Sequence, residues 1–289
     1  MTLAKVEGAP ALARWTGRVA IFSLVLGVVA IVGHRFFGMA TPVLLAMLLA
    51  AFGGAMFGLI LALFASVRIW RHGGTGVARI VIAIVIGSGM IGWPLSHYSE
   101  FKRLPMLNDV TTDSANPPVF TTLASVRNGP AANGIKYKAA LAELQHKASP
   151  DIEPMLINRS IEETFDLVVD AVRRKRMRIV RETTPDQQNG EGSLEAVDHT
   201  LIMGFADDVA IRVTGNETGS RVDIRSASRY GRHDLGRNTE RVRELMREIV
   251  ARLEATIPGA AENRRKRHRG EGRPSARKDA DRKKEAPRR

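Results

Sequence analysis

The sequence predicts an α-helical membrane anchor of three transmembrane helices, followed by an α+β two-layer domain with an antiparallel sheet. Two observations lead to this prediction. The first third of the chain holds three long apolar runs, residues 19–33, 43–67 and 77–95, without any Asp, Glu or Lys. The remainder is polar enough to face water, and amphipathic helices there flank short strand-like segments.

The apolar runs indicate membrane helices because about 18 or more apolar residues are needed to cross the hydrocarbon core. The first run is the shortest and follows a basic leader, so a cleaved signal peptide is the alternative for it, with Gly38 and Ala40 as the small residues near the cleavage site. His34 and Arg35 separate the run from those residues, which favours a retained helix. Either interpretation leaves the later domain on the same side of the membrane.

The charges that flank the apolar runs predict the orientation of the anchor, since basic residues near membrane segments favour the cytoplasm. Six of them belong to one side and three to the other, namely Lys5, Arg14, Arg18, Arg68, Arg71 and Arg79 against Arg35, Lys102 and Arg103. We expect a bacterial inner membrane protein with a cytoplasmic N-terminus at residues 1–18, a three-helix membrane region at 19–98 and a periplasmic soluble domain at 104–261.

Small residues recur every four positions in the second run, which indicates a helix-packing face. This face comprises Ala46, Ala50, Gly54, Gly58 and Ala62. Packing within the three-helix unit is the simpler interpretation, and a homo-oligomer formed through the second helix is the alternative. A transporter is not favoured, because polar groups that would line a pathway are limited to Ser23, Ser66 and Ser88.

The periodicity of the soluble part predicts the order strand, helix, three or four strands, helix. Ser160 and Glu163 form a capping-box signature ahead of a helix to about residue 174. The last helix is predicted at residues 239–256, and a short one at 135–146 within an otherwise irregular stretch from 104 to 151. Strands are predicted at 154–157, 177–182, 194–199, 209–213 and 221–228.

Four sequence stretches resemble one known family. They are NDVTTD at residues 108–113, NPPVF at 116–120, VDHTLIMGFADDVAIRV at 197–213 and RSASRYGRHDLGRNTERV at 225–242. Their combination is similar to the domain of unknown function 1499 family (DUF1499), over residues 104–257. The resemblance implies a membrane-anchored member of that family, and it transfers no activity and no catalytic residues.

The turn from the last strand into the last helix is the candidate ligand site. Arg225 and Arg229 are two strand alternations apart and therefore share a face, and the helix N-terminus beyond them attracts anions. The hypothetical ligand-binding set is Arg225, Ser226, Ser228, Arg229, Asp234 and Asn238, with Asp207 and Asp208 orienting the arginines. In the alternative interpretation Asn238 caps the helix and the charged residues form structural ion pairs.

Other chemistries find little support in the sequence. The chain has no Cys, which excludes disulfides and cysteine nucleophiles. His199 and His233 lack the spacing of a metal-ligand pair, and Ser226 and Ser228 lack a nucleophile-elbow context. We therefore expect no metal and no cofactor, and the catalytic residues, if the protein is an enzyme, are unknown.

Residues 262–289 form a basic tail, with 13 Lys or Arg against 5 Asp or Glu, whose composition predicts disorder. The expected partners of the tail are anionic lipid or another envelope polyanion, and a solvated tail without a partner is the alternative. Nucleic acid is not favoured, because the tail has no aromatic residues for stacking.

Together these features predict an integral inner-membrane protein that presents a periplasmic domain for binding a ligand, a lipid or a protein. The alternative function is a membrane-tethered enzyme acting on an anionic envelope substrate. We lean against an enzyme.

Overall fold

The computed structural model describes residues 11–127, 129, 131–185 and 190–256. It begins with three long helices, α1 (Ala11–Phe37), α2 (Thr41–His72) and α3 (Val77–Ser96), each of which coincides with a predicted apolar run. These helices are long and apolar enough to cross a membrane, and the short helix α4 (Tyr98–Arg103) extends the third span. Residues 1–10 and the basic tail at 262–289 lie outside the described residues.

Small residues form close contacts among the three long apolar helices, as is typical of helices that pack in lipid. Gly58 of α2 lies against Ala20 of α1, and a Cβ added at Gly58 would be 3.7 Å from the Ala20 backbone nitrogen. Gly17 near the start of α1 contacts Arg79 near the start of α3. The helices α1 and α3 therefore run in the same direction, with α2 antiparallel to them.

The packing face of α2 in the structure differs in part from the predicted one. Gly58 and Ala62 are buried and Gly54 is half-buried, whereas Ala46 and Ala50 are exposed on the outer surface. A helix has 3.6 residues per turn, so a four-residue repeat drifts around the axis by about 40° per step. The buried residues follow alternating steps of four and three instead, at Ala51, Ala55, Gly58, Ala62 and Ala65.

The domain that follows contains short strands and helices, and its last four strands are consecutive in the chain. In chain order these are β1 (Asp109–Thr111), a 3₁₀ helix (Leu123–Arg127), α5 (Ala140–Ala148), β2 (Met155–Ile157), α6 (Ile161–Arg174), β3 (Arg178–Thr183), β4 (Glu191–His199), β5 (Ala206–Gly215), β6 (Ser220–Ser228) and α7 (Arg237–Ala255). The Ser160 hydroxyl accepts a hydrogen bond from the Glu163 amide at 3.2 Å, which confirms the predicted helix start.

The strands form one antiparallel sheet in the order β1-β6-β5-β4-β3, and β2 pairs with β6 beside β1. Helices α6 and α7 cover one face of it, as predicted. Their core is apolar and fully enclosed, and its largest side chains are Phe165, Leu194, Ile211, Ile224, Leu245 and Ile249.

The segment between β1 and α5 covers part of the other face, where the sequence predicts irregular chain. Phe120 and Leu123 pack there against Val197, Ala210 and Ala227 of the sheet. The buried Glu195 carboxylate accepts hydrogen bonds from the amides of residues 121, 122 and 123, at 3.1, 3.0 and 2.8 Å. The segment is therefore held by specific contacts although it has little regular structure.

The α+β domain contacts the N-terminal helical region at two places. The ring nitrogen Nδ1 of His34, near the end of α1, lies 2.8 Å from the Met203 carbonyl oxygen in the β4–β5 loop. The His233 ring, in the β6–α7 loop, stacks on Phe101 of α4 with 4.7 Å between ring centroids. Both loops lie at the same end of the sheet, so this end faces the anchor.

The packing of α2 against α1 predicts different effects for the same change at two small residues. Gly58→Leu should destabilise the helix bundle by about 1–3 kcal/mol, because the added side chain has no room against Ala20. Ala50→Leu is the matched control and should be tolerated because Ala50 is exposed. Thermal unfolding and size-exclusion profiles in detergent measure both effects. Loss of a dimer on Ala50→Leu would instead place an oligomer interface on the predicted four-residue stripe.

Candidate functional site

Strand β6 divides the predicted ligand-binding residues between the two faces of the sheet. Side chains of a strand alternate in direction. Arg225 and Arg229 share the face covered by residues 113–127 and 131–138, as the sequence predicts, whereas Ser226 and Ser228 point toward α7. The thickness of the sheet separates these groups, so the predicted set forms two polar clusters and not one pocket.

The first cluster is centred on Asp208 of β5, whose side chain is fully buried. One of its oxygens accepts a hydrogen bond from Arg127 Nε at 2.7 Å, and the other accepts from Arg229 Nη2 at 2.8 Å and Nε at 2.9 Å. Arg127 also donates to the Ala227 carbonyl oxygen at 2.8 Å. A buried carboxylate thus joins two guanidinium groups from distant parts of the chain.

Arg225 is the second buried guanidinium on this face, and it forms a bidentate pair with Asp109 of β1. Its Nε and Nη2 donate to the two Asp109 carboxylate oxygens at 2.9 and 2.7 Å. Further donors reach the carbonyl oxygens of Pro118 at 3.1 Å and Ile135 at 2.8 Å. The pair therefore fastens both β1 and the covering segment to β6.

The Phe120 ring lies between the two guanidinium groups of this face. The Cζ atoms of Arg127 and Arg225 are 4.9 and 4.7 Å from its centroid, within the range of cation–π attraction. Tyr137 lies on the other side of Arg225, and its hydroxyl is buried without a hydrogen-bond partner among the described residues. Burial, with the Asp109 charge as the smaller cause, raises the Tyr137 pKa to about 12.

The second cluster lies between the sheet and α7. Asn238 accepts a hydrogen bond from the Ser226 hydroxyl at 2.7 Å and donates to the Ser228 hydroxyl at 2.9 Å. Arg241 donates to Asp207 and to Asp198, both at 2.7 Å. These contacts fix the first turn of α7 on the sheet.

Asp234 provides the cap of α7 that the alternative sequence interpretation assigned to Asn238. Its carboxylate oxygens accept the amides of Gly236 and Asn238, both at 2.8 Å. Burial raises the pKa of Asp234, although the two amide hydrogen bonds oppose this effect. Gly236 has φ 77°, a left-handed conformation that favours glycine and lets the chain turn into the helix. Asp234 thus occupies the helix N-terminus where the hypothesis placed an external anion.

The geometry explains what these clusters can do chemically. Asp109 pairs with Arg225, and Asp208 is shared by Arg127 and Arg229. The guanidinium groups of Arg225 and Arg229 are therefore engaged by carboxylates inside the domain. A small pocket of about 20 Å³ lies beside Asp109 and Arg127, with Lys136 and Lys138 at its rim. That volume holds about one water molecule. The arrangement stabilises the fold, and an organic anion would have to displace an internal carboxylate.

Four charged residues complete these clusters without having been predicted, namely Asp109, Arg127, Asp198 and Arg241. The four-residue spacing of Arg237 and Arg241 gave no hint of which arginine faces the sheet. Arg241 follows Asn238 by three residues on one helical face, which is the only local signal that it points inward. Asp109 and Arg127 come from the segment predicted to be irregular, and nothing in their local pattern indicates burial.

The two histidines considered as metal ligands have different surroundings. His233 stacks on Phe101, and its Nδ1 accepts the Leu235 amide at 2.9 Å. Burial, followed by the Arg178 charge, lowers the pKa of His199. In the described ranges no group of three or more His, Asp or Glu residues could hold a metal ion.

These features define a class of protein, an α+β domain with buried ion pairs that follows three helices long and apolar enough to span a membrane. Residues 109–249 match the family model described as protein of unknown function (DUF1499). The domain belongs to this family, which confirms the resemblance found in the sequence.

Comparisons with curated proteins and with solved structures give no further information about fold or function. No match was found among curated proteins. The vertebrate conserved region of human METTL16 is similar to 46% of this chain and to 98% of its own, with 16% identity and a TM-score of 0.24. A likeness with so low a score carries no argument about fold or function.

The pairing of Asp208 predicts a large loss of stability when its charge is removed. Asp208→Asn leaves the buried guanidinium group of Arg127 and the partly buried one of Arg229 without this anion, and should lower the free energy of unfolding by about 3–5 kcal/mol. Asp170→Asn is the matched control, since Asp170 is 51% exposed and its loss should change stability by less than about 1 kcal/mol. Denaturant unfolding in detergent compares the two. Equal effects would contradict a structural role for Asp208.

The Tyr137 hydroxyl has no hydrogen-bond partner among the described residues, so its removal should stabilise the domain. The size of this stabilisation should depend on pH. Tyr137→Phe should raise the free energy of unfolding by about 1 kcal/mol near neutral pH, because it removes a buried hydroxyl without a partner. The raised pKa also favours the folded state of the wild type below pH 10, and this contribution is lost as the pH rises through about 12. The advantage of the variant should therefore grow between pH 9 and pH 11. Denaturation at both pH values measures it, and a constant difference would contradict the raised pKa.

Proposed function

We propose that this chain is an integral protein of a bacterial inner membrane that presents its α+β domain in the periplasm. There the domain acts as a non-enzymatic module that binds a ligand, a lipid or a protein partner close to the bilayer. The observation that carries the non-enzymatic part is the internal pairing of Arg225 with Asp109 and of Arg229 with Asp208. An enzyme using the arginine-rich turn on an anionic substrate would need these guanidinium groups to be free.

The charges at the two ends of the helix bundle support the orientation. The end opposite the domain carries five basic side chains among the described residues, which are Arg14, Arg18, Arg68, Arg71 and Arg79. The end beside the domain carries Arg35, Lys102 and Arg103. Arg35 also donates a hydrogen bond to the Thr200 carbonyl oxygen, so part of its role there is structural. Basic residues favour the cytoplasmic side, which supports a periplasmic domain.

The basic tail at residues 262–289 supports binding near a charged surface. Its excess of Lys and Arg attracts anionic lipid head groups or another envelope polyanion through opposite charge. The tail follows α7 in the chain, and the anchor confines the whole domain beside the bilayer. The proposed partners of the tail are therefore within its reach without a further targeting step.

Single cysteines test the orientation, because the chain has none of its own. Thr75→Cys lies in the α2–α3 loop and Glu217→Cys in the β5–β6 turn, and both side chains are exposed at opposite ends of the molecule. In intact cells, a maleimide that passes the outer membrane but not the inner one should label Glu217→Cys alone. Both variants should react after the inner membrane is permeabilised.

Labelling of Thr75→Cys alone in intact cells would invert the topology and contradict the periplasmic proposal. Labelling of neither variant, followed by reaction of both after permeabilisation, would also contradict it, because the domain would then be cytoplasmic or enclosed.

A further inference from the structure

The β4–β5 loop presents two large apolar side chains at its tip. Leu201 is 81% exposed and Ile202 is 55% exposed. The turn that carries them is closed by hydrogen bonds, from the Thr200 amide to the Phe205 carbonyl at 2.9 Å and from the Gly204 amide to the Thr200 carbonyl at 3.1 Å. The loop tips of a domain that faces water are usually polar, so this tip requires a physical reason.

The loop is fastened to the end of α1. Arg35 Nη1 donates to the Thr200 carbonyl oxygen at 2.8 Å, and His34 Nδ1 lies 2.8 Å from the Met203 carbonyl oxygen. The backbone also approaches closely, since a Cβ added at Gly204 would be 3.4 Å from the Cα of Arg35. The two residues at the tip are therefore held at the depth of residues 34 and 35 along the helix.

That depth corresponds to the boundary between hydrocarbon and head groups. Helix α1 has 27 residues and is about 40 Å long, whereas the hydrocarbon core is about 30 Å thick. The apolar run of α1 ends at Gly33, and His34 and Arg35 follow it, so the last turn of α1 belongs to the interfacial region. Phe36 and Phe37 at its end are 73% and 81% exposed, which is typical of side chains that meet lipid there.

The contact between α4 and the β6–α7 loop lies among aromatic side chains, at the same end of the helix bundle as the last turn of α1. Trp93, Tyr98 and Phe101 are all about half exposed and belong to the end of the third span. Aromatic residues are enriched at membrane interfaces, where their rings meet both lipid and water. The stacking of Phe101 on His233 then fixes the β6–α7 loop beside them.

We propose that Leu201 and Ile202 insert into the interfacial layer of the bilayer that the three helices cross. The occupant of this apolar tip is lipid, at the boundary of head groups and acyl chains. Insertion, together with the contacts to α1 and α4, holds the domain in one orientation on the membrane, with the opposite end of the sheet directed toward water. The inference rests on the proposed membrane anchor, but it holds on either side of the membrane.

Three leucines with similar exposure in the structure allow a matched test. Leu201→Cys reports on the loop tip, Leu49→Cys on the outer surface of α2, and Leu156→Cys on β2 at the far end of the sheet; the three side chains are 81%, 76% and 80% exposed. The strand β5 separates the loop from the region of Leu156 by about 30 Å. Each variant of the full chain is spin-labelled in liposomes, and its accessibility to oxygen and to a water-soluble nickel chelate is measured.

Oxygen concentrates in lipid and the nickel chelate in water. The ratio of oxygen to nickel accessibility should be several-fold higher at Leu201→Cys than at Leu156→Cys, and highest at Leu49→Cys. Ile202→Cys should give the same result as Leu201→Cys, which guards against a local effect of one label.

Three outcomes would overturn the inference. A nickel accessibility at position 201 equal to that at position 156 would place the loop in water. Low accessibility to both reagents at 201 would mean that protein covers the tip, either a partner or a second copy of this chain. A water-like ratio at position 49 would instead overturn the membrane anchor itself, so the failure of the anchor and that of the loop insertion are distinguishable.

Discussion

The burial of the Asp208 carboxylate is the constraint on which the domain depends. A charge inside a protein is tolerated only when it is paired and hydrogen-bonded, since removal from water otherwise costs far more than a fold can supply. Asp208 satisfies this condition with two guanidinium groups, from Arg127 and Arg229. Arg127 can reach it only if residues 113–127 lie across the sheet, and Arg229 only if β6 ends beside the start of β5. One carboxylate thereby fixes the position of three chain segments.

The ion pairs and the apolar core have separate places in the domain. The core lies between the sheet and helices α6 and α7, and it is filled by aliphatic side chains and Phe165. The ion pairs of Arg225, Arg229 and Arg241 lie toward the end of β6, on both faces of the sheet. This is also the end whose loops contact α1 and α4. A further network lies toward the start of β6, where Arg212 and Arg221 both pair with Asp113 and Asp223. Buried or partly buried ion pairs therefore reinforce both ends of the strand.

Much of the fold was predictable, because its signals are local. The three apolar runs, the capping box at Ser160 and the periodicity of α6 and α7 each depend on residues close in sequence, and the structure confirms them. Strand β1 has only three residues and therefore no alternation to recognise. The covering segment was also missed, because its order comes from Glu195, which lies more than 70 positions away along the chain.

The sequence by itself determined that this chain carries a membrane-compatible anchor and an α+β domain of a known family, since hydropathy, helical periodicity and family motifs act over short stretches. Only the tertiary structure decided which arginine meets which aspartate. The Asp109–Arg225 pair spans 116 positions, and its partners become neighbours through the pairing of β1 with β6. The alternation of side chains then placed Arg225 and Ser226 on opposite faces. Neighbours in the sequence were thus separated, and distant residues were brought together, because the sheet has two faces and long-range partners.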